Sequence, residues 1–393
     1  MATVTDSVRA EWAAIIERAV GNVVDRELSR ELPGDVLTDL KQAGFGALRV
    51  PFEFGGRGLS WTEIIPIWID LATADANLTQ ALRGHFTFAE DALFRHRRGH
   101  DQSRWFARFV GGEIVGNAWT ETGSTAIGDL QTVLRPVGDH YLLDGRKFYT
   151  TGTVFAEWAD VYARLDSTHV VVAVDTRQPG VTVHNDWDGF GQRGTGSGTT
   201  EFHDARVESA DVLPFDQRHP YQTALYQVNL IATLAGIARA VHRDVVAEVR
   251  ARTRNYSHAN ASRVRDDPQV LGLIGEISAA AYAAESVAIR AAGALDAAAT
   301  ATDADLQRAT EQAEIDATAA QITVSRLVLE SASDLFDALG ASATSTSRAL
   351  DRHWRNARTV ASHNPRLFKA RVLGAYDVNG TPPPYAWSIG TTN

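Results

Sequence analysis

Apolar residues follow two different rhythms along this chain. Up to about residue 110 they recur every three or four positions, the spacing of helices that bury one face. Trp12, Ile15, Ile16 and Val20 share a face of an opening helix, and residues 33–43 predict a short second helix that stops before Gly44. Ser60 followed by Glu63 is a capping-box signature, with Ile64, Ile65, Ile67 and Trp68 as the apolar stripe of a third helix. After the turn-rich connector 51–58, residues 77–94 continue the pattern as a buried helix.

The rhythm changes at Gly111. From there to Pro214, short runs of Val, Tyr, Phe and Thr alternate with Gly, Asp and Pro. The runs 141–143, 147–150, 161–163, 170–174 and 199–202 predict strands. No helix-length run separates them, so an antiparallel barrel or sandwich fits and βαβ units do not. Helical spacing returns near Tyr221. It predicts one long helix to about Arg250, a second opening at Asp267-Pro268, and two or three more from Asp303, Ser331 and Ser347. Residues 277–299 are dense in alanine, which favours helix and close helix packing. The expected fold class is α+β: an N-terminal helical domain (1–110), a central antiparallel β domain (111–215), and a C-terminal four-helix bundle with a tail (216–393).

Over 393 residues, 44% hydrophobic and 22% charged positions permit a large packed core. A net charge of −10 argues against a nucleic-acid partner, which needs a concentrated basic face. The chain has no cysteine, so thiol nucleophiles, thiolate-bound zinc and disulfides are excluded. The opening residues lack a basic region followed by an unbroken apolar run, and no window approaches the ~18 apolar residues of a membrane span. The expectation is a soluble cytoplasmic protein without membrane contact. No phosphate-binding loop or dinucleotide fingerprint occurs, because the glycine-rich run Gly189 to Gly198 has the wrong spacing and lies between strands. His96 and His100 stand four apart without a third ligand, so no metal is expected.

Four segments, taken in order, carry a resemblance. Asn117-Ala-Trp-Thr-Glu121, with Gly123 after it, is similar to the A-x-T-E-x-x-x-G strand and turn of acyl-CoA dehydrogenases. Gly145-Arg-Lys-Phe-Tyr-Thr-Thr-Gly152 resembles their G-x-K-x-x-I-T-N/G strand, and residues 189–207 resemble their G-x-R-G-S/T…F-x-x-V-x-V strand pair. Arg355 to Pro365 resembles their closing helix. Dehydrogenases of that family commonly carry the base glutamate there, in the form R-D-A-K-x-x-x-x-Y-E-G. In this chain His363 and Asn364 stand where Tyr and Glu would. Gly84-His85-Phe86, Phe148 to Gly152, Gly191-Gln-Arg193, Trp354 to Arg358 and His363-Asn-Pro365 resemble the flavin-dependent monooxygenase branch, the dibenzothiophene monooxygenases and related N- and S-oxygenating enzymes.

That resemblance implies a two-component enzyme. Reduced FMN from a separate NAD(P)H-dependent flavin reductase and O2 would form a C4a-(hydro)peroxyflavin, which oxygenates an N, S or electron-rich C centre; FAD is the second cofactor option. It also implies a homotetramer, a dimer of dimers. The candidate catalytic residues are His85, His363 and Thr151. Asn117, Trp119, Thr151 and Trp187 are candidates for the flavin ring, and Arg254 and Arg348 for its phosphate, where a guanidinium fork suits two oxygens. Ala89 and Asn364 are assigned to the substrate pocket. Each has a plain structural alternative: a histidine on an apolar helix is commonly a satisfied core residue, Trp187 can simply cover the end of the β domain, and Arg254 can be a surface ion pair. Two other readings stand beside the monooxygenase. One is an FAD-dependent acyl-CoA dehydrogenase or oxidase with its base relocated to Glu330 or Glu276, and the other is a non-catalytic relative.

Overall fold

A computed structural model describes residues 4–122 and 130–384. Gly123, part of the first resembling segment, lies outside them. Five helices open the chain: α1 (Val4–Ser29), α2 (Gly34–Gln42), α3 (Trp61–Ala74), α4 (Ala76–Arg97) and α5 (Ser103–Val110). Eight strands follow: β1 (Val115–Ala118), β2 (Val133–Val137), β3 (His140–Lys147), β4 (Trp158–Leu165), β5 (Thr168–Asp175), β6 (Val181–Val183), β7 (Thr200–Glu208) and β8 (Val212–Pro214). Helices α6 (Gln222–Ala251), α7 (Pro268–Thr300), α8 (Leu306–Leu339), α9 (Arg352–Ser362) and α10 (Lys369–Asn379) complete the described chain. The helix–strand–helix order expected from the two rhythms is the order found.

The helix starts obey their local chemistry. The Ser60 backbone N–H and hydroxyl donate to the Glu63 carboxylate at 2.8 and 2.7 Å, closing the capping box of α3. The next two amide groups, of Trp61 and Thr62, donate to Asp296 of α7, so a bundle residue caps a helix of the first domain. Asp75 accepts from Asn77 N–H at the start of α4, and Asp267 from Gln269 N–H at the start of α7, where Pro268 occupies the first turn. Helix α6 is buried along most of its length between α3, α7 and α8, and its side chains join those of α3 and α4 in the largest core.

The strands pair in the order β6-β7-β3-β2-β4-β5-β8 around a second core. Most pairs are antiparallel. The expectation of a purely antiparallel domain fails at β4, which runs parallel to β1 and, over two residues, to β2. A third small core, containing Ala89, Trp105, Phe106, Phe109 and Trp158, welds α4 and α5 to the sheet.

Three further expectations are corrected. The run 147–150 is not a strand, because β3 ends at Lys147 and Tyr149 takes a left-handed φ of 57° to turn the chain. Ser331 does not start a helix; it lies inside the continuous α8 and donates its hydroxyl to Leu327 O at 2.8 Å. Two helices are in fact long and apolar enough to cross a membrane, α6 and α7, each with a window of mean hydropathy 1.3. The α6 window is 89% buried as a core helix, whereas the α7 window is only 17% buried.

Candidate active site

Helix α4, strand β1, the start of α6 and the end of α9 meet at one crevice. Helix α9 stops at His363-Asn364, because Pro365 has no N–H with which to continue the helix. Arg83 of α4 donates from Nη2 to His363 Nε2 at 2.9 Å. A guanidinium only donates, so Nε2 must accept and the imidazole proton sits on Nδ1. Nδ1 faces Asn364 Oδ1 at 3.4 Å. Asn364 Nδ2 donates to Gln227 Oε1 of α6 at 2.6 Å, and Gln321 Nε2 of α8 donates to the Asn364 carbonyl at 3.1 Å. The protein packed around the crevice, then the Arg83 charge, lower the His363 pKa. Solvent reaches the open ring, and the imidazole is neutral at pH 7.

An aromatic box adjoins this chain of hydrogen bonds. The Arg83 guanidinium lies 4.7 Å from the Tyr226 ring, and Tyr226 meets Trp119 edge-on at 6.2 Å. Trp119 stacks on Tyr162 at 5.6 Å and donates its indole N–H to Asp160 at 3.0 Å. Asp160 in turn pairs with Arg218. On the other side, Gly84 lets α4 approach β1 closely: a Cβ there would lie 3.2 Å from Asn117 N and Cβ. Asn117 donates its backbone N–H to Thr151 O at 3.3 Å, and its side-chain Oδ1 is buried without a partner. The Thr151 hydroxyl is engaged with Ser197 Oγ at 2.7 Å. Tyr149 is 51% exposed and meets the half-buried Trp187 edge-on at 5.9 Å. The Trp187 indole donates to Gly191 O at 3.1 Å, and Gly189 lies so close to the indole that a Cβ would fall 2.0 Å from it.

The glycine-rich run is a strap. Gln192 N–H donates to Asn356 of α9 at 2.6 Å, Gly194 N–H to Asn77 of α4 at 3.1 Å, and Arg355 to Phe190 O at 2.8 Å. Gly191 packs on the α9 backbone, where a Cβ would lie 2.2 Å from Arg355 O. This run holds the β domain against both helices that build the crevice.

Sequence models of three acyl-CoA dehydrogenase domains match in order: N-terminal over residues 4–113, middle over 116–205 and C-terminal over 230–365. The chain belongs to the acyl-CoA dehydrogenase family. It is 28% identical over 357 residues, 88% of each chain, to the probable FMNH2-dependent monooxygenase SfnC of Pseudomonas putida. Its structure is similar to that of methanesulfinate monooxygenase MsuC from Pseudomonas fluorescens, with a TM-score of 0.88, 26% identity, and 98% and 99% of the two chains covered. It is also similar to TdsC from Paenibacillus sp. A11-2 in complex with FMN and indole, with a TM-score of 0.86, 25% identity, and 96% and 98% covered.

Within this acyl-CoA dehydrogenase fold, the predicted site residues separate into groups. His363, beside Asn364, bonds Arg83, and Trp119 is joined to Arg83 through Tyr226; Asn117 and Thr151 bond each other next to Gly84, and Trp187 stands beside Tyr149 on the β domain. His85 does not join them. It is fully buried, bonds Gly46 O from Nε2 at 2.8 Å, and accepts from Val115 N–H on Nδ1 at 3.3 Å. Burial lowers its pKa to about 4, so it is a neutral core histidine that fixes the start of β1. Ala89 packs in the small core among Trp105, Phe106 and Phe109. Arg254 is exposed in the loop after α6, and Arg348 pairs with Glu248 near the end of that helix. At 1.5 Å per residue, the 25 residues of α6 from Tyr226 to Ala251 span about 37 Å, so Arg254 cannot reach the crevice of its own chain. Arg348, held on the last turns, is similarly remote. Glu330 is exposed and pairs with Arg326, and Glu276 is exposed on α7. Neither supplies a base to the crevice.

Arg83, Tyr226, Gln227 and Gln321 are the crevice residues that sequence reasoning missed. Arg83 had a signal: an arginine set among Leu78, Ala81, Leu82 and Phe86, all buried positions of one helix.

Proposed function

We propose that this chain is a two-component flavin-dependent monooxygenase. It uses FMN reduced by a separate NAD(P)H-dependent reductase, and O2, to oxygenate a nitrogen, sulfur or electron-rich carbon centre of a small molecule. One observation carries the reading. At the helix end where dehydrogenases of the family place their base, Asn364 donates an amide proton to Gln227, and no carboxylate bonds to His363 or Asn364 among the described residues. An amide cannot abstract an α-proton, so oxidation by that route is closed.

The β-domain wall fits a flat heteroaromatic cofactor. Asn117 brings an amide oxygen without a partner, and Tyr149 brings an exposed ring beside the half-buried Trp187. These residues and the backbone around Thr151 would hold the ring. When bound, reduced flavin supplies the two electrons that let O2 give up one oxygen atom. The chain's own residues do the rest. His363, neutral and locked in one tautomer, holds Arg83 at the crevice wall. The aromatic box around Trp119 and Tyr226 excludes water from the substrate.

A second copy of the chain completes the assembly. Helix α7 leaves most of its apolar window uncovered, and Tyr282 on it is 78% exposed. In a homotetramer Arg254, exposed and remote from its own crevice, would bond the flavin phosphate of a neighbour. The cytoplasm, where reduced nicotinamide is at hand, is the proposed location.

Chemically reduced FMN is mixed with the protein and O2 is admitted. A long-lived species absorbing between reduced and oxidised flavin is the expected result. Immediate oxidation, together with bleaching of bound FAD by an acyl-CoA, would return the chain to the dehydrogenases. His363→Ala is expected to keep flavin affinity and to lower oxygen transfer at least about tenfold, the usual scale for a residue that orders a transition-state contact.

A further inference from the structure

Five arginines are buried among the described residues: Arg26, Arg49, Arg83, Arg218 and Arg352. Four have a carboxylate partner. Arg26 meets Asp75 at 3.4 Å, Arg49 meets Glu90 at 2.7 Å, Arg218 meets Asp160 at 2.7 Å, and Arg352 meets Asp244 at 2.5 Å. Arg83 has none. It is 3% exposed, its only side-chain hydrogen bond goes to the neutral His363, and its buried Nε has no partner. Burial lowers its pKa to about 10, which leaves it cationic at pH 7, and no carboxylate acts on it in return. A buried charge is ordinarily paired, because leaving water unpaired is costly. This fold pairs its other buried arginines and leaves this one open, at the candidate active site.

We infer that Arg83 is the docking cation for an anionic oxo-acid group, a carboxylate or a sulfinate, carried by the substrate; the inference rests on the monooxygenase reading for what then happens to that substrate. The position of Arg83 favours the substrate over the cofactor. It bonds His363, the chain neighbour of Asn364, which stands where dehydrogenases of the family carry the base that faces substrate. Of the flavin candidates, Asn117, Thr151 and Trp187 lie on the β domain and make no bond to Arg83, and Trp119 reaches it only through the Tyr226 ring. The rest of the ligand follows from the neighbours. Tyr226, whose hydroxyl makes no hydrogen bond to the described residues, lies under the guanidinium, and Trp119, Tyr162 and Phe215 extend the box. These surfaces suit a flat or apolar body attached to the anion.

The FMN-loaded protein is titrated with 4-(methylthio)benzoate and with its neutral amide, 4-(methylthio)benzamide. Both are then turned over with a flavin reductase, NADH and O2. In turnover the sulfide sulfur gains one atom of O2 to become a sulfoxide. The other atom leaves as water, with two electrons and two protons drawn from reduced FMN. The acid is expected to bind at least about tenfold more tightly than the amide, with KM following, the scale of a charge-assisted hydrogen bond. Arg83→Met should abolish that preference, Arg83→Lys should keep part of it, and the FMN Kd should change less than twofold in both. Equal binding of acid and amide to the wild type overturns the inference, as does a preference that survives Arg83→Met. A loss of FMN affinity in step with the loss of acid affinity overturns it too, and assigns the guanidinium to the flavin. Tight, Arg83-dependent binding of the acid with no oxygenation of either compound would uphold the anion site and remove the monooxygenase reading.

Discussion

Arg83 and His85 stand two positions apart in α4 and do opposite things. Two residues turn a helix by about 200°, so they point to opposite faces. His85 enters the small core beside Phe109, with Ala89 one turn further on the same face, while Arg83 looks into the crevice. Sequence reasoning chose the histidine for its chemistry, and it lies on the core face; the arginine, unusual on a buried helix, lies on the crevice face. The pairing of buried charges gives a direct prediction. Arg49→Met strands the Glu90 carboxylate and is expected to cost about 3–5 kcal/mol in urea unfolding of the flavin-free protein. Arg83→Met strands no anion and is expected to leave stability unchanged or higher. A larger loss at Arg83 than at Arg49 would mean that Arg83 is compensated after all.

At the scale of elements, local pattern gave helix and strand but not where a segment must turn. Residues 147–150 have strand composition, yet Tyr149 adopts a left-handed turn because Thr150 donates to Gly198 O, in a strap that leaves residue 149 far behind in sequence. Helix α8 hides a pH-sensitive contact of the same long-range kind. Glu314 is buried against Thr223 of α6 and Lys369 of α10, and burial, partly opposed by Lys369, raises its pKa from 4.5 to about 7. The folded state therefore holds this proton more tightly than the unfolded chain, and its contribution to stability falls as pH rises from 4.5 to 7. About 3 kcal/mol is lost across that window at 1.36 kcal/mol per pKa unit. Glu314→Gln is expected to raise the melting temperature at pH 8 and to change little at pH 4.5. His85 acts in the opposite sense. Its lowered pKa makes stability fall as pH drops from 6.5 towards 4, so the two slopes offset each other until one is mutated. Melting curves of Glu314→Gln and wild type that stay parallel from pH 4.5 to 8 would rule out the buried proton.

For the whole molecule, the change of rhythm at Gly111 and its return near Tyr221 made the three-part order legible, and the motif at residues 355–365 made one wall of the crevice legible. The other wall was not. Arg83 and His363 are separated by 280 residues, and no local spacing encodes such a contact. The open face of α7 carries the prediction at this scale. Tyr282→Glu should lower the mass measured by light scattering and weaken FMN binding while helix content by circular dichroism stays the same. Unchanged mass would remove α7 from the assembly. Helix α6 meanwhile keeps the two ends of the protein apart. Substitutions near Tyr226 and near Arg254 share no partner and lie far beyond the 7–10 Å over which effects couple, so their free energies should add to within about 0.5 kcal/mol in the unassembled chain. In the unassembled chain an engineer could therefore alter the Tyr226 end of this rod and the Arg254 end as two separate projects.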